Sequence, residues 1–245
     1  VRNGGAEQTW LNEGLSHYAE ELGGRLIPDT TGQQPGTTYT QFALSDFQNA
    51  FDYLKNPEAT FAIEPSSSNG QLEERGANWL FVRWMAEQFG TSTPDDAKFI
   101  ARATDFTQKL VQTSLTGAAN VEAQTGQQMA KLLPAWQLAN YLDDLPGFTA
   151  ADPLLQYQNL NLRSVYQQLF DQDTQRRVFD RAYPLLPDST RGVYTRTGTI
   201  KQGSAHHLRL IQAGGAALIQ VKLTGSAGAA ISAQIAPRVA VVRIK

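Results

Sequence analysis

The spacing of apolar residues changes character once along the chain, near Tyr183, and that change constrains the fold more than any other feature. Before it, apolar side chains recur every three or four residues, the period of a helix packed on one side. After it they alternate with polar or small residues, the period of a strand. Charge divides at the same place: the first 183 residues hold 13 basic and 22 acidic side chains, or −9, whereas residues 184–245 hold 8 basic and 1 acidic, or +7. A boundary at residues 184–190 follows. Residues 1–183 are expected to be mainly α-helical and residues 184–245 to form a small all-β, sandwich-like accessory domain, multidomain α+β overall. A length of 245 residues, at roughly 150 per domain, agrees with one or two domains.

Within the first part, residues 9–22 read as a helix with Leu15, Tyr18 and Leu22 on one side and Gly23-Gly24 as its end. Residues 28–40, rich in Pro, Thr, Gly and Gln, read as loop. Ser45 caps a helix over 46–55 that Pro57 stops, and 59–63 reads as a short strand or extended stretch. The clearest helix is the core helix 71–89, with Ala77, Leu80, Phe81, Trp84, Met85 and Phe89 on one broad face. Pro94 suits the first position of a helix continuing to residue 112. Further helices are expected at 120–124, 129–145 and 161–170, with interruptions at Gly126 and Pro134. Strands are expected at 192–200, 207–212, 216–223, 230–235 and 238–244.

Cys 0 excludes disulfides, a thiolate zinc site and a cysteine nucleophile, but not secretion. A net charge of −2 and the lack of a basic helix argue against nucleic acid as a partner. No apolar stretch approaches the ~18 residues of a membrane span. Neither a glycine-rich phosphate loop nor a Gly-x-Ser-x-Gly elbow is present.

The opening helix carries the string Trp10-Leu11-Asn12-Glu13-Gly14-Leu15-Ser16-His17-Tyr18. It resembles the second metal motif of gluzincin-type zinc metallopeptidases, and most closely that of the bacterial hyicolysin-like neutral metallopeptidases. Glu74-Arg75-Gly76-Ala77-x-Trp79-Leu80-Phe81-x-Arg83 and Trp136-x-Leu138-Ala139-x-Tyr141-Leu142-Asp143-Asp144 are also similar to segments of that family, so the resemblance spans residues 1 to about 170. It implies a zinc cofactor in the complete protein, a polypeptide substrate, Glu13 as third zinc ligand, Asn12 positioning its helix by hydrogen bonding, and a secreted or cell-surface bacterial location. The family's other ligands and general base come from a His-Glu-x-x-His helix, which is absent here. The histidines are His17, His206 and His207, and none is followed by Glu. The chain opens on Val1 with no signal segment, and is expected to be the portion downstream of that helix, completed by the missing N-terminal part and inactive alone. A non-catalytic binding or scaffold protein and a pseudo-peptidase are the alternatives.

The other candidates carry a structural and a functional reading side by side. His17 lies four residues after Glu13, so it is either a simple i,i+4 partner or a neighbour of the metal shell. Of Glu20 and Glu21, one extends the acidic face and the other is solvated, with Glu20 a candidate neighbour of the site. Glu74 is favoured by the helix N-terminus, and Arg75 either pairs with it or bridges to the zinc-side helix. Trp79, Phe81, Trp84 and Trp136 read as core. Tyr141 is a candidate transition-state donor, while Asp143 and Asp144 read as a helix-ending turn. His206 and His207 open a strand, so their side chains point opposite ways and cannot share a metal.

Overall fold

A computed structural model describes residues 6–26, 37–64, 66–68, 70–90, 96–212, 220–232 and 236–244. Among them the chain is mainly helical: α1 (Thr9–Leu26), α2 (Thr37–Lys55), α3 (Leu72–Phe89), α4 (Asp96–Val111), α5 (Gly117–Thr125), α6 (Met129–Leu142) and α7 (Leu162–Gln172). The helices α1, α2 and α3 pack against one another, and α4 closes on α3. No helix among the described residues is long and apolar enough to cross a membrane.

The broad face expected of α3 turns out to be its whole circumference. Residues 76–87 are all buried, Asn78, Arg83 and Glu87 included, as befits a central helix with neighbours on every side. Trp79, Phe81, Trp84 and Trp136 are fully buried core aromatics. Phe81 stacks on Trp10 (6.0 Å between centroids) and packs on Trp136 (4.9 Å), joining α1, α3 and α6. Arg83 lies between Glu21 of α1 and Glu87 of its own helix, in ion-pair contact with both; Nε to Glu87 Oε1 is 3.1 Å. The expectation that Glu20 and Glu21 share the surface is corrected for Glu21, which is buried and also accepts from Trp79 Nε1 (3.2 Å).

Three helix boundaries move. The first helix runs through Gly23-Gly24 to Leu26, because Gly24 packs inward against Phe42 of α2. The second begins at Thr37, not after Ser45. Its buried stripe already includes Ala43, so packing on α1 extends the helix through a residue that favours caps. The part of the expected loop over residues 27–36, and Pro94, lie outside the described residues. Gly126 separates α5 from α6 in a left-handed conformation (φ 66°), whereas Pro134 sits inside α6, which continues past it to Leu142.

Beyond Tyr183 the strand pattern yields little sheet. The described residues form only β1 (Asp188–Thr190) and β2 (Leu208–Leu210), paired in parallel with Asp188 opposite Leu208. The run 207–212 contains β2. The runs 192–200 and 238–244 are not strands, and 216–223 and 230–235 lie partly outside the described residues. No large all-β domain is present among the described residues. The physical reason is visible in the exposure of the alternating apolar residues. Val193 (96%) and Val241 (70%) lie open, with no second layer to cover them. Residues 201–207 instead dock on the helical body: Ala62 and Ile63 donate to Gln202 O, and Gln137 Nε2 donates to Gly203 O (2.9 Å).

The closest approach of α1 to α3 occurs at Gly14, where an added Cβ would lie 2.6 Å from Asn78 O and 2.7 Å from Val82 Cγ2. Gly14→Ala is therefore expected to lower the unfolding free energy by about 2 kcal/mol, the overpacking cost exceeding the gain in helix propensity. Denaturant unfolding checks it; an unchanged or raised midpoint would contradict the packing.

Candidate functional site

Burial of Trp10, Leu11, Gly14, Tyr18 and Glu21 fixes the rotation of α1, and the adjoining face then carries Glu13, His17 and Glu20 on successive turns. Opposite it stand Asp46 of α2 and Arg75 from the first turn of α3. His17 Nδ1 is 2.8 Å from Asp46 Oδ1 and 3.8 Å from Glu20 Oε2, while its Nε2 is 3.8 Å from Glu13 Oε2. Arg75 Nε approaches the same Glu13 oxygen at 3.5 Å. The imidazole thus has carboxylates on both edges, one of them 1% exposed.

The closest contact is an ion pair rather than a directed hydrogen bond. Its alignment is poor enough that His17 Nδ1 and both oxygens of Asp46 are buried without a hydrogen bond. The Asp46 carboxylate nevertheless holds the His17 pKa above its ordinary value, against the effect of burial, with Glu20 and Glu13 adding to it. Burial pushes the Asp46 carboxyl up, and His17 pulls it part of the way back.

Glu74 takes the structural reading: it accepts from Gln71 N (2.8 Å) and Ser66 N (3.2 Å), closing the start of α3. Arg75 takes the bridging reading, reaching Glu13. Gly14 beside Glu13 is accounted for by the close approach of α3 alone. Asn12 is exposed and bonds through its backbone N–H to Gln8 O (3.0 Å). Tyr141 stands apart from this group at the end of α6, where the Arg163 guanidinium lies 5.5 Å from its ring. Asp143 is a buried anchor that accepts from Tyr157 N (2.9 Å) and Leu162 N (3.0 Å). Burial pushes its pKa up to about 7. His206 pairs with Glu58 (2.9 Å) and His207 contacts Gln137 O (2.8 Å), so neither serves Glu13.

Around Glu13 the chain therefore supplies one carboxylate of the three zinc ligands the resemblance implies, and not the imidazole pair. The residues that sequence reasoning missed are Asp46 and Glu21. Asp46 carried a readable signal: it stands three residues after Ala43 and four before Ala50, in the buried stripe of α2, where a lone carboxylate needs a partner. Comparison of the chain with protein-family models, curated proteins and solved structures gives no match.

The raised His17 pKa fixes a sign. Its contribution to stability is complete below the unfolded value of 6.5 and is lost as pH rises through the folded value. In chelator-treated protein, Asp46→Asn should bring the His17 NMR titration midpoint down, and should destabilise more at pH 6 than at pH 9. A midpoint that does not move would show that Asp46 does not hold the imidazolium.

Proposed function

We propose that the helical part of the chain is the portion of a zinc-dependent endopeptidase downstream of its zinc helix, hydrolysing internal peptide bonds of polypeptide substrates. Glu13 supplies the third ligand. The two histidines and the general base belong to a His-Glu-x-x-His helix outside these 245 residues. Bound zinc polarises the peptide carbonyl and lowers the pKa of its water. The complete protein is read as secreted or cell-surface.

The observation that carries this reading is the setting of Glu13 within the string Trp10–Tyr18. Arg75 and His17 both approach Glu13 Oε2, which orients the carboxylate. Neither contact is close, so the pair steers the carboxylate without sealing it. Arg75 and His17 act through Glu13 as positioning residues.

In the complete protein, Glu13→Gln is expected to lower the zinc content by one ion per chain and to lower peptidase activity by at least about 100-fold. Unchanged zinc content and activity would end the reading. The 245-residue chain alone should hydrolyse no peptide, and chelator-sensitive hydrolysis by it would be equally fatal.

A further inference from the structure

Three buried polar atoms converge without hydrogen bonds between α1 and α2: His17 Nδ1, Asp46 Oδ1 and Asp46 Oδ2. Nδ1 and Oδ1 face each other as an ion pair at 2.8 Å without a directed hydrogen bond, and Oδ2 is buried with no hydrogen bond among the described residues, so the place has room in its bonding for a further group. Glu20 stands at its open side, and one donor atom from each of His17, Glu20 and Asp46 falls within 4.8 Å of the other two.

We propose that His17 Nδ1, Glu20 and Asp46 bind a divalent transition-metal ion, at a site separate from the one read on Glu13. The proposal does not rest on the peptidase reading. In a tetrahedral shell with metal–ligand distances of about 2.1 Å, donors stand about 3.3 Å apart. The distances from His17 Nδ1 to Asp46 Oδ1 (2.8 Å) and to Glu20 Oε2 (3.8 Å) bracket that value, so small side-chain rotations suffice. One imidazole nitrogen with two carboxylates suits zinc, cobalt or manganese better than calcium, which takes six to eight oxygens. With Nδ1 on the metal, Nε2 carries the hydrogen, and Glu13 Oε2 stands 3.8 Å from it, beyond hydrogen-bond reach, so Glu13 is not needed to hold this ion. The elements suit the task. Asp46 is set on α2 by the packing of its neighbour Phe47, and His17 sits one turn from the packed Gly14, so two of three donors stand on rigid backbone.

The test is calorimetric titration of Zn2+ into the chelator-stripped 245-residue chain, repeated with Co2+ to record its visible spectrum. One ion per chain is expected. Asp46→Asn and Glu20→Gln should each weaken Zn2+ binding at least about tenfold, with circular dichroism confirming the fold. Glu13→Gln should keep binding within a few-fold. Zinc should shift the His17 imidazole resonances and leave those of His206 and His207 in place. Absence of binding, binding indifferent to Asp46 and Glu20, or loss of binding in Glu13→Gln would each overturn the site. Displacement of Zn2+ by tenfold Ca2+ would overturn the metal class. None of these outcomes depends on peptidase activity of the complete protein, whose failure would be read separately.

Discussion

Arg83 carries its guanidinium into a position with no access to water, and that is tolerable only because two carboxylates come with it. Glu21 meets it from α1 and Glu87 from one turn along α3, while Glu87 Oε2 also accepts the backbone N–H groups of Gln158 (2.6 Å) and Asn159 (2.8 Å). One buried charge group thus ties the first helix, the central helix and the segment leading into α7. Swapping the group for apolar residues of equal volume is a mild change, but removing one member strands the others at about 3–5 kcal/mol. The group sets specificity of arrangement as much as stability.

The consequence reaches the surface. With Glu21 held inward, its neighbour Glu20 is rotated about 100° away, and Glu13 and His17 follow it onto the same face. α1 therefore has two polar functions that do not compete. One end of its buried stripe closes the ion group around Arg83, and the flank presents carboxylates and an imidazole to α2 and the start of α3. The Glu13 reading and the His17 site share this flank but use different atoms.

The helices were legible wherever apolar spacing dominated, as in 71–89 and in the last helix, which begins at Leu162 with Asn161 Oδ1 accepting from Ser164 N (2.7 Å). Legibility failed where partners distant in sequence decided the outcome. Locally, Glu21 differs from Glu20 in having Arg25 one turn on, which pairs with it at 2.9 Å, but Trp79 and Arg83, both distant in sequence, are what make it internal. Ser45 reads as a cap by composition, yet α2 passes through it, with Phe42 of the preceding turn against Gly24 of α1 and Ala43 buried. The tail shows the reverse case, where alternation was present but no opposing layer was supplied among the described residues, and periodicity without a surface to bury does not make a sheet. For the candidate site, Glu13 and His17 were visible from spacing, while Asp46 needed the fold to bring it across.

The start of α3 has one more role. Glu74 is clasped by the backbone N–H groups of Ser66 and Gln71, which pin the turn of the helix from which the next residue extends. Arg75 is that residue, and its positive charge stands near Glu13 without being locked to it. The two backbone bonds that hold Glu74 therefore also fix the turn of α3 that carries a cation to within 3.5 Å of Glu13 Oε2.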